Sequence, residues 1–377
     1  MREHYKIGIL GGGQLARMST FAAKRLGFDT IILEKEKKSP AGQITNKEFV
    51  GWVNDLNLLK EFAKASDIIT LENEFVDADR LKFVEELGIK VVPSPKTIRL
   101  IQDKLTQKKT LEKKGIPVPK FLNLTNKLTF SQVQEKLSSS KFIIKSRKMG
   151  YDGYGNALVH TENEFLKSKE KLVDRHSELM AEEFINFTME LAVMVVRTKK
   201  EIKYYPVVQT IQENHICKVV IAPAKISKKL KENAIEIAIE AVKAVGGFGL
   251  FGIELFLSEE GNLLINEMAP RPHNSGHYTI DACVTSQFEN HIRSVLDLPL
   301  GSTEMLKPYA VMINILGKQN GGGAIADYKS ILADENVKLH LYGKAQSRKG
   351  RKMGHFTVLG NNLDSLYKQA KTIENKL

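Results

Sequence analysis

One stretch of the chain, residues 265–277, concentrates side chains that bind cations and anions. It reads INEMAPRPHNSGH. Asn266 and the Glu267 carboxylate come first, and a loop with Arg271, two histidines and a second amide follows. Carboxylates suit Mg²⁺, and an arginine fork suits planar or tetrahedral oxyanions. The stretch therefore predicts a site for a divalent metal and an anion.

A second carboxylate precedes this stretch. Glu254 lies in an apolar run, 250–257, and turn residues at 258–262 separate that run from 263–265. The pattern predicts a β-hairpin with Glu254 opposite Glu267 or one step away. Two carboxylates in apolar strands would be costly to bury without a partner. Because Mg²⁺ typically takes one or two carboxylates and leaves other positions for phosphates and water, we expect this pair to bind it.

A nucleotide site is predicted upstream. Lys145 follows the apolar segment 142–144 and precedes the loop GYDGYG at 150–155. Backbone amides of such a loop can fold over a triphosphate, and the lysine adds a point charge. The residues EEFI at 182–185 could bind an adenine edge, and Glu190 could bind ribose hydroxyls.

The remaining elements indicate an α/β protein. Alternating strands and helices at the start predict a parallel sheet wrapped by helices, with a boundary near 97. The predicted strands there span 6–10, 30–33, 67–71 and 90–92, and the helices 14–26, 56–65 and 78–87. Later helices are predicted at 97–113, 228–245 and 279–296, and strands at 142–144, 157–159, 179–185, 191–197, 204–222, 310–313, 338–341 and 356–358.

A glycine turn at Gly11–Gly13 supports two interpretations. With Ala16 it satisfies G-x-G-x-x-G/A after a strand, and Glu34 ends the next strand, as in dinucleotide-binding proteins. Any first strand-to-helix turn of such a sheet favours glycine, however, and a helix N-terminus can bind a monophosphate. Since the carboxylate pair has no place in a dehydrogenase, we favour phosphate over NAD.

Composition narrows the class of protein. The 377 residues carry a net charge of +12, with lysines spread along the chain and 7% aromatic residues, so we expect phosphorylated substrates and no nucleic acid. No apolar run is long enough for a membrane span, and the N-terminus does not resemble a signal peptide. Two distant cysteines, Cys217 and Cys283, favour a reducing cytoplasm over disulfides or a zinc site.

The order of these motifs resembles the ATP-grasp superfamily, and within it the N5-carboxyaminoimidazole ribonucleotide synthase family. The resemblance covers nearly the whole chain. The motifs that carry it are GGGQLARM at 11–18, ENEF at 72–75, QDK at 102–104, GYDG at 150–153, NEMAPRPHNSGH at 266–277 and RKMGH at 351–355.

This resemblance implies a fold and a reaction. The fold would be an ATP-grasp architecture with a Rossmann-like pre-ATP-grasp domain at 1–97, a central α+β ATP-grasp domain at 98–298 and a small β-rich C-terminal domain at 299–377. The reaction would use ATP and bicarbonate to form carboxyphosphate, which carboxylates 5-aminoimidazole ribonucleotide in purine biosynthesis. A cytoplasmic homodimer is expected.

The resemblance also assigns site residues. Mg²⁺ or Mn²⁺ would bind Glu254 and Glu267, while Arg271, His273 and Asn274 would surround bicarbonate and carboxyphosphate. Asp152 or His273 would remove the proton. The ribonucleotide would contact Gln14, Glu74 and Asp152, with its phosphate on Lys344 and Arg351. ATP would be bound by Lys104, Lys145, Gly150, Tyr151, Asp152, Gly153, Tyr154, Gly155, Asn156, Glu182, Glu183, Phe184, Ile185, Glu190, Gln212, Asn266 and Glu267, with Gln212 where the family has a histidine.

Three other functions fit parts of the pattern. A formate-dependent glycinamide ribonucleotide transformylase would share the superfamily, but the opening GGGQLARM argues against it. A dinucleotide-dependent oxidoreductase would use the glycine turn. A non-enzymatic nucleic-acid binder would use the basic charge, which includes the segment KAQSRKGRK at 344–352.

Overall fold

The computed structural model describes residues 4–150, 155–173, 177–323 and 328–376. Four residues that we expected to contact ATP lie outside these ranges: Tyr151, Asp152, Gly153 and Tyr154. Gly150 and Gly155 on either side of them are described.

The N-terminal part is the predicted parallel sheet. Its strand order is β3-β2-β1-β4, and the apolar strands β1 and β4 are almost wholly buried, as expected with helices on both faces. The elements are β1 (Lys6–Leu10), α1 (Gln14–Arg25), β2 (Asp29–Glu34), β3 (Lys47–Val50), α2 (Leu56–Ala65), β4 (Ile68–Leu71) and α3 (Ala78–Glu86). The strand predicted at 90–92 is confirmed only in part: the segment lies parallel to β4 and forms a single bridge, from Val91 to Ile69.

A helix pair connects this sheet to the middle of the chain. The single helix predicted at 97–113 is wrong, because α4 (Pro95–Gln102) ends before Asp103 and α5 (Lys104–Glu112) begins after it. Asp103 has extended backbone angles, and its carboxylate accepts a hydrogen bond from the Thr106 amide. Aspartate at this position caps the new helix, so the chain turns between the two.

A small antiparallel sheet forms one wall of the site. Its strand order is β5-β8-β6-β7, and α6 and α7 cover its apolar face. The elements are β5 (Phe121–Leu124), α6 (Phe130–Leu137), β6 (Phe142–Ser146), β7 (Asn156–Val159), α7 (Glu162–Val173) and β8 (Leu179–Glu183).

A large antiparallel sheet forms the opposite wall and continues into the C-terminal part. Its order is β14-β13-β9-β11-β12-β15-β19-β17, with β10 beside β9. The strands are β9 (Phe187–Arg197), β10 (Ile202–Tyr204), β11 (Val208–Glu213), β12 (Ile216–Ala222), β13 (Gly249–Ser258), β14 (Leu263–Ala269), β15 (Tyr309–Leu316), β17 (Lys338–Leu341) and β19 (Lys352–Gly360). Since β12 pairs with β15, the sheet crosses the domain limit that we predict at 298/299.

The remaining elements pack against this sheet or its loops. The single strand predicted at 204–222 is wrong, because Asn214 and His215 form a turn with positive φ between β11 and β12. The helix predicted at 279–296 is two helices, since Ser286 caps a new one. These elements are α8 (Lys228–Ala244), α9 (Thr279–Ala282), α10 (Gln287–Val295), β16 (Gly321–Gly322), α11 (Tyr328–Leu332), β18 (Gln346–Ser347) and α12 (Leu363–Glu374).

The helices of the described ranges do not include a membrane-spanning segment. None of the helices there combines the length and the apolar character that a membrane span requires.

Candidate active site

The predicted carboxylate pair is confirmed by the register of the hairpin. Glu254 on β13 lies directly opposite Glu267 on β14. The register shifts beside this pair, and Ile265 and Met268 both pack in the core while the two residues between them do not. This bulge places Asn266 on the same side as the two carboxylates, where its amide donates to Glu254 at 3.3 Å.

The pair fits a divalent cation. The Glu254 side chain retains 30% of its accessible surface, yet burial, then Glu267 and then Glu190, raise its pKa to about 7. Two facing carboxylates repel each other when both are charged, and a divalent cation between them would remove that repulsion. Among the described residues, no cluster of three or more His, Cys, Asp or Glu side chains could bind a metal by itself. Two carboxylates suit Mg²⁺ whose remaining ligands come from phosphates and water.

Two predicted ATP-binding lysines lie next to this pair. Lys104, at the start of α5, contacts Glu267 at 2.5 Å. Burial opposes its charge, but Glu267 outweighs that effect and the pKa of Lys104 is raised. Lys145 on β6 donates to Glu182 at 2.6 Å and to Asn266 at 3.4 Å. The small sheet and the large sheet thus meet through charged contacts at one point.

A cavity of about 530 Å³ lies between the two sheets. Apolar side chains line one end of it, where Phe187 and Phe256 stack with ring centres 4.8 Å apart. Ile143, Leu158 and Phe184 line the same cavity. This apolar, aromatic end of the cavity includes Phe184 of the segment 182–185, and it suits a purine base. Predicted site residues that line the cavity are Glu74, Lys104, Lys145, Gly150, Asn156, Phe184, Glu190, Gln212, Glu254, Asn266, Glu267, Arg271, His273 and Asn274.

The loop after β14, which we predict to bind an anion, also lines this cavity through Arg271, His273 and Asn274. Arg271 and Glu74 form an ion pair, with the Arg271 Nη2 atom 3.1 Å from Glu74 Oε1 and a second, closer contact through Nε. Burial opposes the charge of the guanidinium, but Glu74 outweighs it and raises the pKa of Arg271. We assigned these two residues to different ligands, and the structure brings them together.

The other two loop residues are fixed by neighbouring polar groups. His273 Nε2 lies 3.4 Å from Glu254, and its Nδ1 is 2.8 Å from the Ser275 hydroxyl. Asn274 exchanges two hydrogen bonds with Asn314 of β15, at 3.0 and 2.7 Å. The loop is therefore tied both to the carboxylate pair and to the C-terminal strands.

Gln212 and Glu190 line the same cavity and contact each other. The Gln212 side chain hydrogen-bonds Glu190, while burial raises the pKa of that carboxyl. His215, from the turn after β11, also lines the cavity. The family pattern places a histidine at position 212. In this chain a histidine three positions later, His215, lines the same cavity as Gln212.

The glycine turn is occupied by carboxylates of the protein itself. Glu72 accepts hydrogen bonds from the amides of Gly13, at 2.5 Å, and Leu15, at 3.2 Å. Glu34 accepts from the Gly12 amide at 2.7 Å. The prediction of a phosphate or a dinucleotide at this turn is wrong, because these amides already bind two glutamates. A Cβ at Gly13 would lie 2.2 Å from Glu72, which explains the glycine.

Three residues predicted to bind the ribonucleotide lie outside the cavity lining. Lys344 donates to the Lys352 carbonyl at 2.6 Å, and Arg351 donates to the Gln346 carbonyl at 2.8 Å. Gln14 lies between the two residues whose amides bind Glu72, and the charge of Lys344 acts on that same carboxyl. Gln14 and Lys344 therefore lie near Glu72 and outside the cavity lining that includes the carboxylate pair.

Several residues in or beside the cavity are not among the predicted site residues. Lys352 was noted only as part of a basic run, although it lines the cavity. Cys217 lines it too, on β12. Lys108 forms an ion pair with Glu182 at 2.7 Å. Only the spacing of Lys108 four residues after Lys104 could have indicated it, since the two share a helix face.

Comparison with known families agrees with this arrangement. The sequence matches the ribonucleotide synthetase preATP-grasp domain over residues 4–102, the ATP-grasp domain over 109–288 and the phosphoribosylaminoimidazole carboxylase C-terminal domain over 310–369. An N5-carboxyaminoimidazole ribonucleotide synthase from Synechococcus elongatus is 40% identical over 356 residues, which are 93% of this chain and 89% of that protein. The chain spans about two thirds of the length of several yeast and plant relatives named phosphoribosylaminoimidazole carboxylase.

Solved structures share the whole fold. Carboxyaminoimidazole ribonucleotide synthase from Aspergillus clavatus, complexed with ATP, superposes with a TM-score of 0.91 at 38% identity, covering 100% of this chain and 98% of the other. A structure of the Aspergillus clavatus enzyme with ADP and 5-aminoimidazole ribonucleotide gives 0.91 at 36% identity, covering 100% and 99%. The predicted fold class is confirmed. The chain belongs to the N5-carboxyaminoimidazole ribonucleotide synthase family of ATP-grasp ligases.

Proposed function

We propose that this chain carboxylates 5-aminoimidazole ribonucleotide to N5-carboxyaminoimidazole ribonucleotide, with ATP and bicarbonate, in purine biosynthesis. The observation that supports this most directly is the facing pair Glu254 and Glu267, with Lys104 and Arg271 in the same cavity. Carboxylates, ammonium groups and a guanidinium within one cavity suit the transfer of a phosphoryl group to an oxyanion.

ATP would lie along the cavity from its apolar, aromatic end to the carboxylate pair. The base would stack near Phe187 and Phe256 and hydrogen-bond the backbone of 182–185, while Glu190 would accept from the ribose hydroxyls. Lys104 and Lys145 lie where the phosphates would then reach. Glu182 contacts Lys145 at 2.6 Å, and Glu183 on the same strand accepts a hydrogen bond from the Lys120 amide at 2.6 Å. Gly150 and Asn156, which line the cavity, would lie beside the phosphates.

Glu254 and Glu267 would hold Mg²⁺, or Mn²⁺ in its place, which neutralises phosphate charge when bound. Glu267 already has Lys104 at 2.5 Å, so the protein places a positive charge there before any ligand binds. Asn266 hydrogen-bonds Glu254 and orients it toward the same point.

Arg271 would align bicarbonate for the first step. A bicarbonate oxygen attacks the γ-phosphorus, the bond to the ADP oxygen breaks, and carboxyphosphate and ADP form. Because bicarbonate is a weak nucleophile, alignment and charge neutralisation must supply most of the rate. Glu74 binds Arg271 in the structure, and it would turn to the ribonucleotide when the anion takes its place.

The second step joins carbon to nitrogen. Carboxyphosphate releases carbon dioxide and phosphate, the exocyclic amine bonds to the carbon, and one amine proton leaves. His273 could accept this proton, since Ser275 and Glu254 already orient its ring. Asp152 is the other candidate base. Asn274, held by Asn314, would bind the departing phosphate.

The ribonucleotide would enter from the side of α1 and the basic segment 344–352. Gln14 and Glu74 would contact its ribose and base, and Lys344 and Arg351 its phosphate. Burial lowers the pKa of Arg351, Arg348 adds to that effect and Glu36 opposes it. A dianionic phosphate beside Arg351 and Arg348 would favour their charged forms.

The proposed function is tested by ADP release with one substrate omitted at a time. We expect release to require ATP and bicarbonate, and the carboxylated product to require the ribonucleotide as well. Release that is unchanged without bicarbonate, or that needs formate and glycinamide ribonucleotide instead, would contradict the assignment.

We further propose a cytoplasmic homodimer. Sedimentation velocity at micromolar concentration should give twice the chain mass of 42.3 kDa. A single species at the chain mass would contradict the dimer without affecting the proposed reaction.

A further inference from the structure

Helix α5 directs three polar side chains toward the nucleotide site. Lys104, Gln107 and Lys108 lie at spacings of three and four residues and so share one helix face. Gln107 and Lys108 are each 2% exposed, which is rare for a lysine without a specific partner. Lys104 contacts Glu267 of the carboxylate pair directly. Gln107 and Lys108 hydrogen-bond the backbone of β14, the strand that carries Glu267.

Gln107 and Lys108 complete the outer edge of β14. Gln107 donates to the Met268 carbonyl and accepts from its amide, both at 3.1 Å. Lys108 donates to the Ile265 carbonyl at 3.0 Å. These contacts flank the bulge that carries Asn266 and Glu267. An edge strand has free backbone groups on one side, and here α5 supplies their partners.

Lys108 also shares one buried carboxylate with Lys145. Its ammonium lies 2.7 Å from Glu182 Oε2, while the Lys145 ammonium lies 2.6 Å from Oε1. Glu182 is 1% exposed and Lys145 is 6% exposed. Burial opposes ionisation of Glu182, yet the two lysines outweigh it and lower its pKa. One negative charge is thus divided between two positive charges.

The two lysines have different access to the nucleotide. Lys145 lines the cavity and reaches Asn266, whereas Lys108 is absent from the cavity lining. If Glu182 had Lys145 as its only partner, the full carboxylate charge would hold that ammonium, and a phosphate would have to compete with it. With Lys108 present, part of the carboxylate charge is already neutralised.

We propose that Lys108 is a positioning residue for ATP: it shares the charge of Glu182, so that Lys145 remains available to the nucleotide phosphates. This role rests on the proposed placement of ATP against Lys145. Burial lowers the pKa of Lys108 to about 8, so its charge is kept in an unfavourable setting. Packing alone would be met by methionine, which has similar length and no charge to desolvate.

The role is tested by steady-state kinetics of Lys108→Met, with Lys109→Met as the matched control. Lys109 neighbours Lys108 on α5 but is exposed. We expect Lys108→Met to raise the KM for ATP by about tenfold or more, with the KM for the ribonucleotide changed less than about twofold. Lys109→Met should change neither, and Lys108→Arg should recover most of the ATP affinity.

A double-substitution cycle separates shared action from general damage. Lys145→Met should raise the KM for ATP, and adding Lys108→Met should change it by less than about twofold further. Lys108→Gln, which can still donate to the Ile265 carbonyl, guards against misfolding and should show the same ATP effect as methionine.

Two results would overturn the role. In the first, Lys108→Met and Lys108→Gln leave the KM for ATP unchanged while Lys145→Met raises it. In the second, the increase in KM for the double variant equals the product of the increases for Lys108→Met and Lys145→Met. In either case the proposed ATP site would stand and only the role of Lys108 would fail. No effect from Lys145→Met would remove the ATP placement and this role with it.

Discussion

The two ends of the site are built in different ways. At the proposed nucleotide end, Glu254 and Glu267 face each other across one hairpin. Lys104 contacts Glu267 at 2.5 Å, and Lys145 donates to the neighbouring Asn266 at 3.4 Å. At the ribonucleotide end, Arg351 comes from a segment near the C-terminus, binds a backbone carbonyl and lies outside the cavity lining.

This difference separates a preassembled site from one that its ligand must complete. Paired strands hold the two carboxylates at fixed spacing, so the nucleotide end needs less rearrangement than the other end when a metal and phosphates bind. The ribonucleotide end joins a helix, a loop and a basic segment from distant parts of the chain. We infer that substitutions of the carboxylate pair change the rate of chemistry, and that substitutions at the ribonucleotide end change the affinity for the ribonucleotide.

The largest effect should come from Glu267→Gln. Loss of one of two metal-binding carboxylates should lower the rate of ADP release by roughly 10³-fold or more, since the charge on the phosphates is no longer neutralised. The protein should stay folded by circular dichroism. Glu259→Gln, in the exposed turn of the same hairpin, is the control and should have no effect. ADP release near the wild-type rate in Glu267→Gln would contradict a metal site here.

A smaller and different effect is expected at the ribonucleotide end. Arg351→Ala should raise the KM for the ribonucleotide by about tenfold, because one charged hydrogen-bond donor to its phosphate is lost, with the KM for ATP unchanged. Lys349→Ala, an exposed neighbour, should change the ribonucleotide KM much less. Equal effects on the two KM values would show that the ends are not separate.

His273, which contacts the carboxylate pair through Glu254, packs against Gly252 on β13. A Cβ at this glycine would lie 2.5 Å from the His273 Cβ atom, so alanine would displace the anion loop. Gly252→Ala should lower kcat by roughly fivefold with little change in the KM for ATP. Gly261→Ala, in an open turn of the same hairpin, should reduce thermal stability alone, because its φ of +83° strains any other residue. Unchanged kcat in Gly252→Ala would mean that the position of His273 is unimportant.

The smallest effect concerns a buried contact between α10 and the N-terminal sheet. His291 on α10 hydrogen-bonds Thr70 of β4 at 3.1 Å, and burial lowers its pKa to about 4. Below pH 6.5 the unfolded chain therefore binds a proton that the folded chain does not, and stability falls by up to about 1.4 kcal/mol per pH unit. Urea unfolding of His291→Gln between pH 7 and 5 should show a shallower decline. Parallel declines in the two proteins would contradict a neutral His291.

Much of the nucleotide end could be predicted from sequence. An apolar run interrupted by one glutamate, a short turn and a second run ending in Asn266 and Glu267 define a hairpin by local signals alone. The spacing of apolar residues predicted most strands and helices, because it too is a local signal. The prediction failed where a single polar residue decided the structure, as with Asp103, whose side chain caps a new helix inside an apolar pattern that suggested one continuous helix.

Contacts between distant segments were beyond sequence reasoning. Glu72 fills the glycine turn because β4 lies beside β1, and a local motif cannot show which carboxylate will reach its amides. The same applies to Arg271 with Glu74 and to Lys108 with Glu182, whose partners are 197 and 74 positions away. Pairing of buried charges depends on tertiary packing, so only the structure shows it.

The most direct measurement is a crystal structure with Mg²⁺ and a non-hydrolysable ATP analogue. We predict the metal bound by oxygens of both Glu254 and Glu267 at about 2.1 Å, with phosphate oxygens in the remaining positions. Lys145 should contact a phosphate. A metal held by phosphates and water alone, with both carboxylates beyond coordination distance, would contradict the preassembled site.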